Sequence, residues 1–264
     1  MSRDFKRVVV ISDLHCGHVV GLTHPDFNPS YPRGSERFKL AVRRRELYKF
    51  YTDRMEKLQP IDILIVNGDA IDGKGPRSGS TELLTTDRDE QVEMAAVAIR
   101  EAKAGQIYIS YGTPYHTGKE EDWEDLVAKE VKADKIGSHD WLDVNGLILD
   151  YRHHVGSSSI PHGRHTAPAR ERLWNVLWAE WDEYPKSDVL IRSHVHYLSY
   201  NGAFGWLVLT TPALQGMGSK YGARRMSGTV DFGLVHFDIR GKGDFSWDYH
   251  ILKPRRSRQH VIVT

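Results

Sequence analysis

Val8-Val9-Val10-Ile11-Ser12-Asp13-Leu14-His15 is the stretch that decides the fold. Val8 to Ile11, all β-branched and apolar, read as a short strand buried on both faces, the setting of a parallel sheet covered by helices. The strand runs straight into an acid and an imidazole with one residue between them. Side chains alternate along a strand, so Asp13 and His15 are expected on one side, about 6–7 Å apart along the chain. Open α/β sheets bind ligands beyond the carboxyl ends of their strands, where this pair would lie. Taken alone, an Asp-x-His is weak evidence, as readily a loop acid beside an unrelated histidine. Its weight depends on whether other strand ends repeat it.

They do. Ile61 to Val66 is a second apolar strand, ending in Asn67-Gly68-Asp69-Ala70-Ile71-Asp72-Gly73. Here a glycine permits close backbone approach beside a carboxylate. Ile107 to Tyr111 is a third, running into Gly112-Thr113-Pro114-Tyr115-His116. Between these strands lie two helices. One covers Ser35 to Leu58, with Ser35 as its cap and Arg43-Arg44-Arg45 as a solvated face; the other covers Thr86 to Lys103, with Gly105 as its C-cap. Strand-helix units in sequence predict an α/β fold with a mainly parallel sheet.

After a short helix at Trp123–Val131 the pattern changes. Trp141–Val144 and Leu147–Arg152 form a predicted hairpin around Asn145-Gly146, ending in His153-His154. A helix over Ala169–Glu183 carries Trp174, Trp178 and Trp181 at a spacing that suits core packing. Val189-Leu190-Ile191 leads to Arg192-Ser193-His194-Val195-His196. Ala203–Thr211, Val230–Ile239 and Phe245–Leu252 alternate as antiparallel strands do, and Lys253-Pro254-Arg255-Arg256-Ser257-Arg258 reads as a solvated tail.

Composition sets the bounds. The 264 residues contain no linker and no repeat, so a single domain over 1–264 is expected. With 36 Lys and Arg against 35 Asp and Glu, no whole-chain charge argues for nucleic acid or a membrane surface. Cys16 is the single cysteine, which leaves no internal disulfide and suits a reducing compartment. There is no apolar run of about 18 residues, and no secretory pattern follows the first residues. A cytoplasmic protein is expected, with no membrane partner. The 14 histidines are the unusual feature, since imidazole is the commonest metal ligand and acid–base group.

Asp13 and His15, Asp69, His116, His153, and His194 with His196 each follow an apolar strand. Imidazole and carboxylate without thiolate suit Zn, Mn or Fe. They are too many for one tetrahedral ion, whereas two ions sharing a carboxylate would use them.

In this order the motifs resemble those of the calcineurin-like metallophosphoesterase family, from Asp13 to His196. The resemblance implies a four-layer α/β/β/α sandwich with two divalent transition-metal ions where the strands end. Carried over by position, Asp13, His15 and His196 would hold one ion, His153 (rather than His154) and His194 the other, and Asp69 would bridge them. The mechanism implied is in-line attack on phosphorus by a metal-bound hydroxide. The chain departs from the family at Gly112-Thr113-Pro114-Tyr115-His116. There Thr113 stands for a metal-ligating Asn and Pro114 for the His that assists the leaving group. His116 is the expected substitute, as acid or ligand in preference to a merely structural role, across a gap for which Thr113 is too short. Ser193 replaces the family's usual Gly.

The first expectation is therefore a phosphoesterase, preferring diesters because a strong leaving-group acid is missing, with nucleotides or nucleic acid among its candidate substrates. Arg164, Arg170, Arg224 and Arg225, read as loop residues, are candidate phosphate contacts. The alternatives are a metal-dependent hydrolase of a non-phosphate bond, and a binding module on the same fold of the kind some relatives use as trafficking scaffolds.

Overall fold

The computed structural model describes residues 3–76, 79–117, 122–217 and 230–252. β1 (Lys6–Ile11) is the strand expected from the opening run, and Val8, Val9, Val10 and Ile11 are completely buried. Val9 and Ile11 join Tyr51, Met55, Ala95 and Ile99 in one core, beneath α1 (Glu36–Lys57) and α2 (Arg88–Arg100). Val8 and Val10 face the other way, into a second core with Leu149, Ile191 and Leu209. Burying each such side chain contributes about 1.5–3 kcal/mol. A strand committed on both faces leaves only its ends for chemistry.

Two mixed sheets pack on that second core. The first contains β1, β2 (Ile63–Asn67), β3 (Gln106–Ser110), β4 (Lys135–Gly137), β10 (Phe232–Gly241) and β11 (Asp244–Leu252), in the spatial order β11-β10-β1-β2-β3-β4. Within it β1 to β4 run parallel. The second contains β5 (Asp140–Val144), β6 (Leu147–Tyr151), β7 (Val189–Arg192), β8 (Ser199–Ala203) and β9 (Trp206–Thr210), in the order β5-β6-β7-β9-β8. Here β6, β7 and β9 are the parallel strands. With α1, α2 and α4 (Glu124–Val131) over the first sheet and α5 (Thr166–Glu180) over the second, the architecture is the four-layer α/β/β/α sandwich. α3 (Pro114–Thr117) is a single turn after β3.

A buried polar chain ties the carboxyl ends of the two sheets together. Ser110 Oγ donates to Asn67 Oδ1 (2.8 Å), and Asn67 Nδ2 donates to Ser193 Oγ (2.7 Å). The Thr211 hydroxyl lies 2.7 Å from both Ser193 Oγ and Ser12 Oγ. Paired internally, these groups avoid the cost of burying unsatisfied polar atoms. They fix the strand ends of opposite sheets at hydrogen-bond spacing.

Local signals behave as their chemistry dictates, with instructive exceptions. Ser35 caps α1 by accepting from the Phe38 amide at 3.1 Å. Asn145 and Gly146 hold φ of 55° and 84°, as a two-residue hairpin turn requires. Arg44, expected on a solvated face, is instead buried, because helical spacing puts it on the same face as Leu47, Tyr48 and Tyr51. Its guanidinium donates to Asn28 Oδ1 and Val19 O, both at 2.6 Å, and so clamps the loop after β1. α2 ends at Arg100 rather than at a Gly105 cap; the Gly105 amide donates to Ile61 O. The strand predicted over Ala203–Thr211 is split by a turn at Phe204-Gly205, and the missed β8 pairs with β9.

The tryptophans of α5 are the largest correction. Trp174 is 47% exposed and Trp181 is 61% exposed, so the stripe is a surface and not a core. The buried residues of α5 are Pro168 and Asn175, the latter held by Arg172 and by Pro185 O and Ser187. No helix among the described residues is long and apolar enough to cross a membrane. The basic tail at 253–258, and Arg224 with Arg225, lie outside the described residues.

Candidate metal centre

Three of the five strand ends named by an acid or imidazole turn sharply. Asp13, His15, Asp69, His194 and His196 have φ of 51°, 44°, 52°, 71° and 56°. For side chains other than glycine this left-handed region costs about 1–3 kcal/mol per residue and persists only where surrounding bonds impose it. Those bonds are present. The amides of Asp13, His15 and Cys16 donate to Gly68 O, Asp69 O and Ala70 O, each at 3.0 Å. Val195 N donates to Ser193 O (2.8 Å), closing a three-residue turn around His194. Asp13 and His15 thus meet through left-handed turns and not through strand alternation, and His194 and His196 diverge to different partners.

Two trios result, each with its ligand atoms within 4.8 Å of one another: Asp13, His15 and His196, and Asp69, His153 and His194. Asp13 Oδ1 is 3.1 Å from His196 Nε2 and 3.9 Å from His15 Nε2. Asp69 Oδ2 is 3.0 Å from His153 Nε2 and 3.9 Å from His15 Nε2, so it lies between the trios. Gly68, at φ 81°, sits against the His153 ring, which a Cβ there would meet at 2.5 Å. The two members of the His153–His154 doublet differ in burial: His153 is inside, while His154 is exposed with its ring 4.9 Å from that of His194.

Outer partners aim the rings. His15 Nδ1 donates to Asp72 Oδ1 at 2.8 Å and His153 Nδ1 donates to Asn67 O at 2.7 Å, which leaves both Nε2 atoms facing the acids. Burial pushes Asp13 and Asp69 up, but His196 and His153 hold Asp13 well below the usual carboxylate range, and His153 does the same for Asp69. Burial lowers His153, yet Asp69 and Asp13 outweigh it and lift its pKa to about 10. His194, desolvated and beside His153, falls to about 4. Two buried carboxylates thus draw a proton onto His153 in the metal-free protein, and a cation would take that place.

The donor set fits a divalent metal. Asp13 Oδ1 is buried with no hydrogen-bond partner, and it points toward two Nε2 atoms. The mixture of carboxylate and imidazole suits Zn, Mn or Fe.

The divergent motif after β3 is arranged differently from expectation. Thr113 is not too short: its Oγ1 lies 3.3 Å from Asp69 Oδ2, 3.4 Å from His153 Nε2 and 3.2 Å from His194 Nδ1, among the second trio. His116, on α3, belongs instead with His15 and Asp69 as a third group of close ligand atoms. Its ring meets that of His15 edge-on at 4.6 Å, and its Nδ1 donates to Asp72 O at 3.1 Å. Burial and the His15 charge lower its pKa. Arg164 lies over the Tyr197 ring and Arg170 is part of α5, not a loop; neither is in a trio.

Asp72, Asn67, Ser193 and Glu124 support the site without having been marked in the sequence. Asp72 was visible only as one more acid in a turn, and Ser193 only as a small departure from glycine. No local pattern distinguished Glu124.

Comparison of the sequence with protein-family models and with curated proteins finds no match. Among solved structures, similar ones include the zinc complex of wild-type Vps29 from Entamoeba histolytica, at 15% identity over 93% of this chain and 98% of that one, with a TM-score of 0.45. A novel archaeal phosphodiesterase shares 10% identity over 93% of this chain and 99% of its own, with a TM-score of 0.46. A predicted phosphoesterase from Streptococcus pneumoniae shares 11% identity over 95% and 91%, with a TM-score of 0.40. Such likeness is one of general layout, and no activity passes to this chain by it. The motif order, and the gathering of its residues where the two packed sheets of the α/β/β/α sandwich end, are those the resemblance to the calcineurin-like metallophosphoesterases leads one to expect.

Proposed function

We propose that the chain is a phosphoesterase that works with two divalent metal ions and prefers phosphodiesters. Asp13, His15 and His196 would hold one ion; His153 and His194, with Thr113 beside them, would hold the other; Asp69 would serve both. The observation that carries this reading is the place of Asp69 Oδ2, 3.0 Å from a histidine of one trio and 3.9 Å from a histidine of the other. When bound, such ions polarise a phosphoryl group and lower the pKa of water toward neutrality. The chain's own residues do the rest. Asp72 and Asn67 O keep the His15 and His153 rings turned inward. His116 has Nδ1 engaged by the Asp72 carbonyl, leaving Nε2 as the nitrogen that can exchange a proton with a leaving group. The preference for diesters rests on Pro114 standing where the family has its leaving-group histidine, which leaves protonation of the departing alcohol to His116 alone.

The test is elemental analysis after manganese reloading, joined to hydrolysis of nucleotides, cyclic nucleotides, monoesters and short oligonucleotides. More than one ion per chain and faster release from diesters than from monoesters are expected. Metal content near zero under all loading conditions would overturn the reading and favour a binding module on this fold.

A further inference from the structure

Glu124 opens α4 and is completely buried. Its Oε1 accepts the Ala70 amide at 2.8 Å and its Oε2 accepts the Gly112 amide at 2.5 Å. Those two amides flank Asp69 and Thr113, which come from different strand ends. The turns they belong to are pressed together: a Cβ on Gly112 would fall 2.2 Å from Asp69 Oδ1, and the Thr113 amide donates to that same oxygen at 2.6 Å. Both Glu124 oxygens are met by backbone N–H groups, which offset part of the cost of burying a carboxyl group. Its placement is rigid, because Val127, Ala128 and Val131 anchor α4 in the core beneath the first sheet. Neither trio contains it.

We propose that Glu124 is a positioning residue for the metal centre, a two-oxygen clamp that holds the Asp69 turn against the Thr113 turn so that their oxygens meet. The proposal rests on the two-ion reading above. A side chain with two acceptor oxygens is required by the geometry, since each oxygen receives one N–H group. An amide would offer one acceptor and turn an NH2 against the other donor. Burial and the Asp69 charge push the Glu124 pKa up to about 8, and the two backbone N–H groups oppose that rise.

The experiment is manganese titration of the whole chain as wild type, Glu124→Gln and Glu124→Asp, read by bound-metal content and by NMR exchange of the Ala70 and Gly112 amides. Glu124→Gln should bind the second ion about 10–100-fold more weakly, as loss of an outer partner does, with one of the two amides exchanging faster. Glu124→Asp keeps both oxygens but withdraws them by about 1.5 Å, one carbon–carbon bond, and should weaken the same ion. It carries the test if Glu124→Gln does not fold. A lowered melting midpoint with second-ion affinity and amide exchange unchanged would make Glu124 merely structural and overturn the proposal alone. A wild type that takes up no ion would overturn the two-ion reading and the proposal with it.

Discussion

The two trios are built from the same chemistry and supported in different ways. Asp13, His15 and His196 form a group whose central ring is aimed by one carboxylate, Asp72. Asp69, His153 and His194 depend on a backbone carbonyl, Asn67 O, and on the Thr113 hydroxyl in a motif that departs from the family the sequence resembles. A hydroxyl is a neutral oxygen with no second donor atom, and its turn is held against its neighbours by Glu124 and the Asp69 carboxylate. The difference teaches that the first half of the centre is specified by side chains, and the second by how closely two turns approach. The second ion should therefore be the more easily lost.

The largest effect expected is from Asp69→Asn. If one carboxylate serves both halves as proposed, the change should lower kcat/KM by about 10³-fold or more, about 4 kcal/mol of barrier, and lower the affinity for both ions. Loss confined to one ion, measured by metal titration, would break the bridging assignment.

Asp72→Asn comes next. As a neighbouring turn acid it would be an inert control, but its bond to His15 makes it part of the first half. First-ion affinity should fall about 10–100-fold while the second ion binds as in the wild type. Equal weakening of both ions would erase the distinction between the halves.

Thr113→Val keeps the shape and removes the hydroxyl. It should weaken the second ion only, by about tenfold, close to the value of a single hydrogen-bonded contact. Isothermal titration with manganese measures this, and unchanged second-ion binding would return Thr113 to a structural role.

The smallest effect is on the metal-free protein. His153 has its folded pKa raised to about 10, above its ordinary value near 6.5. Its contribution to stability is thus fully present below about 6.5 and is lost as pH rises toward 10. The melting midpoint of metal-free protein should fall across that window, and metal-loaded protein should fall less because the ion takes the proton's place. Parallel pH profiles for both forms would contradict the pairing of His153 with Asp69.

Much of the fold was legible because its signals are local. Val8 to Ile11 announced a strand buried on both faces, and Asn145-Gly146 announced its turn. The site was legible as a set of residue types at strand ends, but not in its geometry. Alternation along an extended chain was the reason to expect Asp13 and His15 on one side, whereas it is left-handed turns that bring them together. Thr113 looked too short because reach was judged from the side chain. The approach of its backbone, allowed by Gly112, makes up the distance. The tryptophans of α5 and Arg44 of α1 failed for one reason: helical spacing defines a stripe but does not say which way it faces. Glu124 was invisible because its partners are amides, which every residue has.

The central claim is that two ions share Asp69. The most direct measurement is a crystal structure of manganese-loaded protein with anomalous scattering recorded for the metal. The account predicts two peaks about 3.5–4 Å apart, one against Asp13, His15 and His196 and one against His153 and His194, with the Asp69 carboxylate touching both. A single peak, or two peaks with Asp69 bound to one alone, would contradict it.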